Sequence, residues 1–179
     1  HNRIGGIMIT IDGGTGTIVH NGINVTPARM IDTWRIDDDI SGGTNDVITN
    51  WVAATNKMNS SLNTALTHSS GIFSFPLTGH YLLTFNARMN CSSGNDNAMN
   101  VVLKVTTDGS NYEDASLCTY GAQEGSTQST SSISYVFDVT NTSTHKFKFH
   151  TDSMASSSFP KGSSSENQTY FQIVRLADT

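Results

Sequence analysis

Six histidines, at positions 1, 20, 68, 80, 145 and 150, are the first candidates for chemistry in this chain. A zinc site needs them at short fixed spacings such as H-x-x-x-H, so that the ligands share one face of one element. No such spacing occurs, and most of these histidines read as surface side chains. Serine is abundant, but no G-x-S-x-G elbow presents one as a nucleophile. Asp32, Asp138 and Asp152 are scattered, and nothing in the spacing pairs two of them for glycoside hydrolysis. Gly13, Gly14 and Gly16 lack the lysine and following helix of a phosphate loop. Asp37, Asp38, Asp39 and Asp46 offer the hard oxygen ligands that calcium takes. Their spacing fits no calcium loop, and they read as a solvated acidic loop. The sequence therefore predicts no catalytic constellation, no cofactor and no metal. Cys91 and Cys118 form neither a disulfide framework nor a metal pair. They read as free thiols, with a bridge left open by geometry. Asn24, Asn59, Asn90, Asn141 and Asn167 fit the N-x-S/T pattern, which chance produces often in a chain this rich in Asn, Ser and Thr.

The elements that would carry recognition are β-strands. Of 179 residues only 14% are charged, and Ser, Thr, Asn and Gly dominate the polar positions. Those residues suit turns and strand surfaces and suit helices poorly. The net charge of −5 argues against a nucleic-acid surface. No apolar run approaches the ~18 residues of a membrane helix, so no membrane insertion is expected.

Residues 71–85, GIFSFPLTGHYLLTF, alternate apolar side chains through Phe73, Phe75, Tyr81, Leu83 and Phe85. Pro76 and Gly79 interrupt the run, which predicts strand, turn, strand in a hairpin over 71–75 and 79–87. Further strands are expected over 28–36, 47–55, 99–107, 112–120, 133–139, 144–151 and 169–176. The turn at 107–110 carries an Asp-Gly hairpin signal. In 144–151, Phe147 and Phe149 alternate with Lys146, Lys148 and His150, giving one buried and one wet face. Residues 57–70 suit either a helical turn or an extended loop. Loops are expected at 37–46, 89–97, 121–130 and 153–167. Eight or more short strands between turn clusters indicate an all-β sandwich or jelly roll. Residues 1–27, with short strands between glycines, form either the end of a stalk or an arm packed on the domain; residues 28–179 form the head.

The pattern G-x-F-x-x-P-x-x-G-x-Y-x-x-x-F, carried by Gly71, Phe73, Pro76, Gly79, Tyr81 and Phe85, resembles the signature of complement-1q/tumour-necrosis-factor head domains. Ala28-Arg29, the apolar stretch 47–56 and the closing strand from Thr169-Tyr170-Phe171 to Leu176 are similar to the family's flanks. The resemblance spans roughly residues 28–178. It implies a trimeric, partner-binding jelly roll without enzymatic activity, its first and last strands side by side in an inner sheet. The composition is also similar in style to bacteriophage or environmental viral fibre proteins.

The first and last strands carry apolar groups on both faces, and a free sandwich keeps its outer faces polar. A homotrimer would hide the second face, which makes Met30, Trp34, Tyr170 and Val174 candidates for axis or core positions. Coverage by loops or the N-terminal arm is the alternative. The expected function is a virion-borne, extracellular fibre tip or surface knob that binds a cell-surface receptor or glycan. Its apical loops would contribute Asp38, Asp39, Asn45, Asn95, Asp96, Asp108, Asn111 and Lys161. The rivals are a capsid decoration protein that contacts only other virion proteins, and a carbohydrate-active enzyme head.

Overall fold

The computed structural model describes residues 9–11, 18–20, 23–25, 30–43, 45–55 and 61–179. Among them all regular structure is β, in fourteen strands. Strands β1 (Ile9–Ile11), β2 (Ile18–His20) and β3 (Ile23–Val25) form a three-stranded antiparallel sheet of their own. Ala28 and Arg29 lie outside the described residues, as do 56–60.

The other strands build two sheets. They are β4 (Met30–Ile36), β5 (Trp51–Ala53), β6 (Thr67–Ser69), β7 (Ile72–Ser74), β8 (Gly79–Cys91), β9 (Asp96–Thr106), β10 (Glu113–Ala122), β11 (Thr127–Val139), β12 (Lys146–Asp152), β13 (Ser158–Pro160) and β14 (Tyr170–Ala177). The first sheet runs β10-β9-β12-β7-β6 and the second β11-β8-β14-β4-β5, with β13 also on β8. The first and last strands of the head pair directly, Phe171 opposite Trp34 and Val174 opposite Ile31.

The two sheets share an aromatic core, in which Phe73, Phe85, Phe147, Phe149 and Phe171 are fully buried. Phe73 stacks on Phe147 at 5.0 Å and Phe85 on Phe149 at 4.3 Å, while Trp51 meets Phe149 and Phe171 at 5.3 Å. Each such ring contributes about 1.5–3 kcal/mol by leaving water, so this cluster dominates the stability of the sandwich.

The stretch 71–85 is not a hairpin. β7 pairs with β12 in one sheet and β8 with β11 and β14 in the other, so residues 75–78 carry the chain across the sandwich. Phe75 fills the crossing from inside, and the Tyr81 hydroxyl donates to the Leu77 carbonyl at 2.8 Å. A Cβ on Gly79 would sit 2.3 Å from the Ala177 carbonyl oxygen, which explains the glycine there. At Gly71, φ is +76° and a Cβ would lie 2.1 Å from the Ile48 carbonyl oxygen. Gly71→Ala is expected to cost about 2–3 kcal/mol in urea unfolding, from strain plus the clash. Gly94, at φ +71° with open space around its Cα, isolates the backbone part. Gly94→Ala should cost only about 1 kcal/mol, and equal losses at both positions would show that the close approach is not what matters.

Other boundaries differ from expectation. The loop expected over 89–97 shrinks to 92–95, because β8 runs on to Cys91 and β9 starts at Asp96. β11 begins at Thr127, inside the loop expected over 121–130. The stretch 153–167 contains β13, held on β8 with Ser158 opposite Cys91. Residues 61–66 form an irregular loop rather than a helical turn, bridged at Leu62 to Ile31 and bent at Asn63, where φ is +61°. The hairpin at the Asp-Gly turn is present between β9 and β10.

Candidate recognition surfaces

Strand directions decide which loops share an end. β4 ends at Ile36 beside the start of β14 and the latter half of β8. The connections 37–50, 92–95, 123–126 and 153–169 therefore gather at one end, termed upper here. The connections 75–78, 107–112 and 140–145 gather at the lower end. The expected loop set is thus split: Asp38, Asp39, Asn45, Asn95, Asp96 and Lys161 are upper, and Asp108 and Asn111 are lower. A single apical surface cannot use all eight.

At the upper end most of these residues tie loop to loop. The Asp39 carboxylate accepts from the Gly162 N–H at 2.9 Å and from Lys161 Nζ at 3.2 Å. Asn45 Oδ1 accepts the Met154 N–H at 3.1 Å, and the Asp38 carbonyl accepts Asn50 Nδ2 at 2.7 Å. The Ile40 and Gly43 N–H groups donate to the Pro160 and Ser158 carbonyls. Two long loops are thereby locked into one platform, with Asn95 exposed at its edge.

Asp96 is structural rather than exposed. It is buried, and its carboxylate accepts the Ala155 N–H at 2.9 Å and the Ala98 N–H at 3.3 Å. Burial pushes its pKa up, but the Ser158 hydroxyl nearby and these two N–H groups outweigh it and hold the carboxyl below its ordinary value. The folded pKa is therefore below the unfolded one. The resulting stabilisation is complete above the ordinary carboxylate pKa of about 4 and disappears as pH falls through the folded value. Asp96→Asn should cost about 1–2 kcal/mol at pH 7 and flatten the stability profile below about pH 4. A variant that loses stability in acid as steeply as the parent would remove Asp96 from this role.

Asp108 and Asn111 form a closed turn. Asp108 Oδ1 accepts the Ser110 and Asn111 N–H groups, both at 2.8 Å, and Oδ2 accepts Asn111 Nδ2 at 2.6 Å. The donors, led by the Asn111 N–H, hold its carboxyl well below the usual range. Asp-Gly-Ser-Asn spacing is an Asx-turn signature, and sequence reasoning overlooked it.

Met30 and Trp34 face the sandwich interior. Met30 is 2% exposed, and Trp34 meets Phe73 edge-on at 5.4 Å. Asp32, between them, is fully buried and accepts four hydrogen bonds. The donors are Trp34 Nε1 at 2.8 Å, the Leu66 N–H at 2.9 Å, the Ser61 hydroxyl at 2.7 Å and the Thr33 N–H at 3.0 Å. A carboxylate that read as scattered thus fastens the 61–66 segment to β4.

Tyr170 and Val174 face outward, but the outer face of β4 is not the bare apolar back that the sequence suggested. Thr33 and Arg35 lie there and are covered by the chain itself, at 2% and 6% exposed. Arg35 Nε and Nη2 donate to the Ser163 and Ser164 carbonyls at 2.9 and 2.8 Å. The open apolar surface lies toward β14, β8 and β11. Register sets Leu62, Ile31, Val174, Leu82 and Val136 side by side across five segments. Leu62 and Val136 are 45% and 56% exposed, as is Leu176 nearby at 45%. Of the row only Val174 was a candidate from the sequence; the row itself depends on long-range pairing. Above it the face turns polar through Gln172, Thr84 and Ser134.

Cys91 and Cys118 are buried free thiols, and burial pushes the Cys118 pKa up to about 11. Among the described residues no three His, Cys, Asp or Glu side chains converge.

No family model matches the chain, and no curated protein matches it in sequence. Solved structures do. Murine APRIL at pH 8.0 aligns at TM-score 0.58 and 17% identity, over 82% of this chain and 98% of that one. Eiger TNF from S. frugiperda aligns at TM-score 0.62 and 13% identity, over 86% and 96%. The globular domain of zebrafish complement 1qA aligns at TM-score 0.55 and 13% identity, over 86% and 100%. The fold is the jelly-roll sandwich of tumour-necrosis-factor and complement-1q heads, as the signature in residues 71–85 implied.

Proposed function

We propose that this chain is a non-enzymatic recognition head that works as a homotrimer and engages a cell-surface receptor or glycan through its upper loops. The apolar row from Leu62 to Val136 carries this reading. A sheet face exposed to water alternates to polar residues, whereas five aligned aliphatic side chains in the middle of a sheet await a partner. A closed three-fold arrangement of like subunits buries such a patch in each copy. The fold shared with tumour-necrosis-factor and complement-1q heads supports the same arrangement. The upper platform suits recognition because its loops are cross-braced, so that little ordering entropy is lost on binding.

The low-charge, Asn/Ser/Thr-rich composition supports placement on the outside of a virion, as a fibre tip or knob in contact with other virion proteins. Light scattering on the purified chain tests the assembly and should give three chains per particle at micromolar concentration. A monodisperse single chain would refute it. Asn95→Arg on the upper edge should weaken attachment to target cells without altering particle mass.

A further inference from the structure

The outward side of the first sheet holds an unbalanced pair of cations. In β12, Phe147 and Phe149 are fully buried, so Lys146, Lys148 and His150 point away from the core. Register places Lys148 opposite Lys104 of β9, and Lys146 between Thr106 of β9 and Ser74 of β7. Neighbouring strands are about 5 Å apart, and like charges directly opposite one another destabilise a ladder. Lys104 is answered by Asp114 of β10. Among the described residues Lys148 has only the Tyr112 ring, 4.3 Å from its Nζ, which attracts a cation but carries no counter-charge. Lys146 has no carboxylate partner among the described residues. In a chain of net charge −5, two of the four lysines among the described residues stand without a carboxylate partner there, on one strand.

Beside Lys146 a groove of about 350 Å³ opens over β6 and β7, lined by Thr67, His68, Ser69, Ser70, Ile72 and Ser74. Ser74 lies opposite both Lys146 and Thr67, so hydroxyls and ammonium share one face. Ammonium groups at a strand's two-residue repeat, next to a hydroxyl-lined trough, match a polymer that alternates anionic groups with sugar hydroxyls.

We infer that this face binds an acidic polysaccharide, its sulfate or carboxylate groups on Lys146 and Lys148 and its hydroxyls in the groove. A nucleic acid fits less well: the Tyr112 ring, on which a base would stack, is already covered by Lys148. The strip lies on the opposite side of the sandwich from the apolar row. A trimer of the proposed kind leaves it outward in three copies, which multiplies avidity; the site itself does not depend on that reading.

The test is retention of the full chain on immobilised heparin, hyaluronan, neutral dextran and single-stranded RNA. Heparin should retain it at about 50 mM salt and release it steeply as salt rises, with dextran inert. Retention by hyaluronan as well assigns the contact to carboxylates; heparin alone assigns it to sulfates. Lys146→Ala with Lys148→Ala should weaken binding at least tenfold, and Lys161→Ala, at the upper end, should not. Asp114→Asn, which frees Lys104, should strengthen binding severalfold, and tests the site even if the double variant fails to fold. Unchanged binding in both variants, no retention on either acidic polymer, or stronger retention on RNA would overturn the inference. Particle mass, measured on the same samples, reports separately on the assembly.

Discussion

Asp32→Ala is expected to lower the unfolding free energy by about 3–4 kcal/mol, the largest loss from any single polar substitution in the head. The carboxylate sits at 0% exposure and satisfies donors from two places distant in sequence, β4 itself and the 61–66 segment. Its removal leaves the Trp34 indole N–H and the Leu66 N–H without an acceptor in a dry site, each costing about 1–3 kcal/mol. Asp32→Asn keeps the volume but offers one acceptor oxygen in place of two, and turns an NH₂ toward groups that are themselves donors. It should recover little. For a domain of this size the expected fall in melting temperature is about 10 °C. Leu62 should also loosen from Ile31, seen as faster amide exchange at the two N–H groups of that bridge. A melting temperature within about 2 °C of the parent would mean that the 61–66 segment is held by something else.

In the homotrimer proposed above, Leu82→Lys should convert the particle to single chains. Leu82 occupies the middle of the apolar row, between Val174 and Val136. At the shared face of that trimer an ammonium would be buried in each copy, at a cost of several kcal/mol per copy. In the isolated chain the same side chain reaches water, so the fold should persist. Leu117→Lys is the control: Leu117 is 57% exposed on β10 of the other sheet, and its variant should keep the parent's mass. If Leu82→Lys sediments as the parent does, the row is not a subunit contact.

What the sequence disclosed follows the range of the interactions involved. Period-two alternation placed Phe147 and Phe149 inside and Lys146 and Lys148 outside, because one strand's faces depend on that strand alone. The same alternation found both strands of residues 71–85 but not their separation into different sheets, since no residue in the stretch names its distant partners. β13 escaped because three residues within a serine-rich run show no period. The start of β11 escaped because Thr127, Gln128, Ser129 and Thr130 are all polar, although they pair in register with β8. Among the candidate recognition residues, composition pointed to the loops, but it could not distinguish a carboxylate free for a partner from one spent on its own backbone. Asp39, Asp96 and Asp108 all prove to be of the second kind.

The position of β14 bears on how the head is made. It lies between β4 and β8, the centre of the second sheet, yet it leaves the ribosome after every strand it joins. Until then β4 and β8 have no common neighbour, and Phe171 and Ile173 are missing from the core. Nascent chains must therefore wait with two open strand edges, a state prone to sticking to its siblings. Removal of residues 170–179 would take out the middle of a wall and leave a translation product for chaperones and proteases to clear.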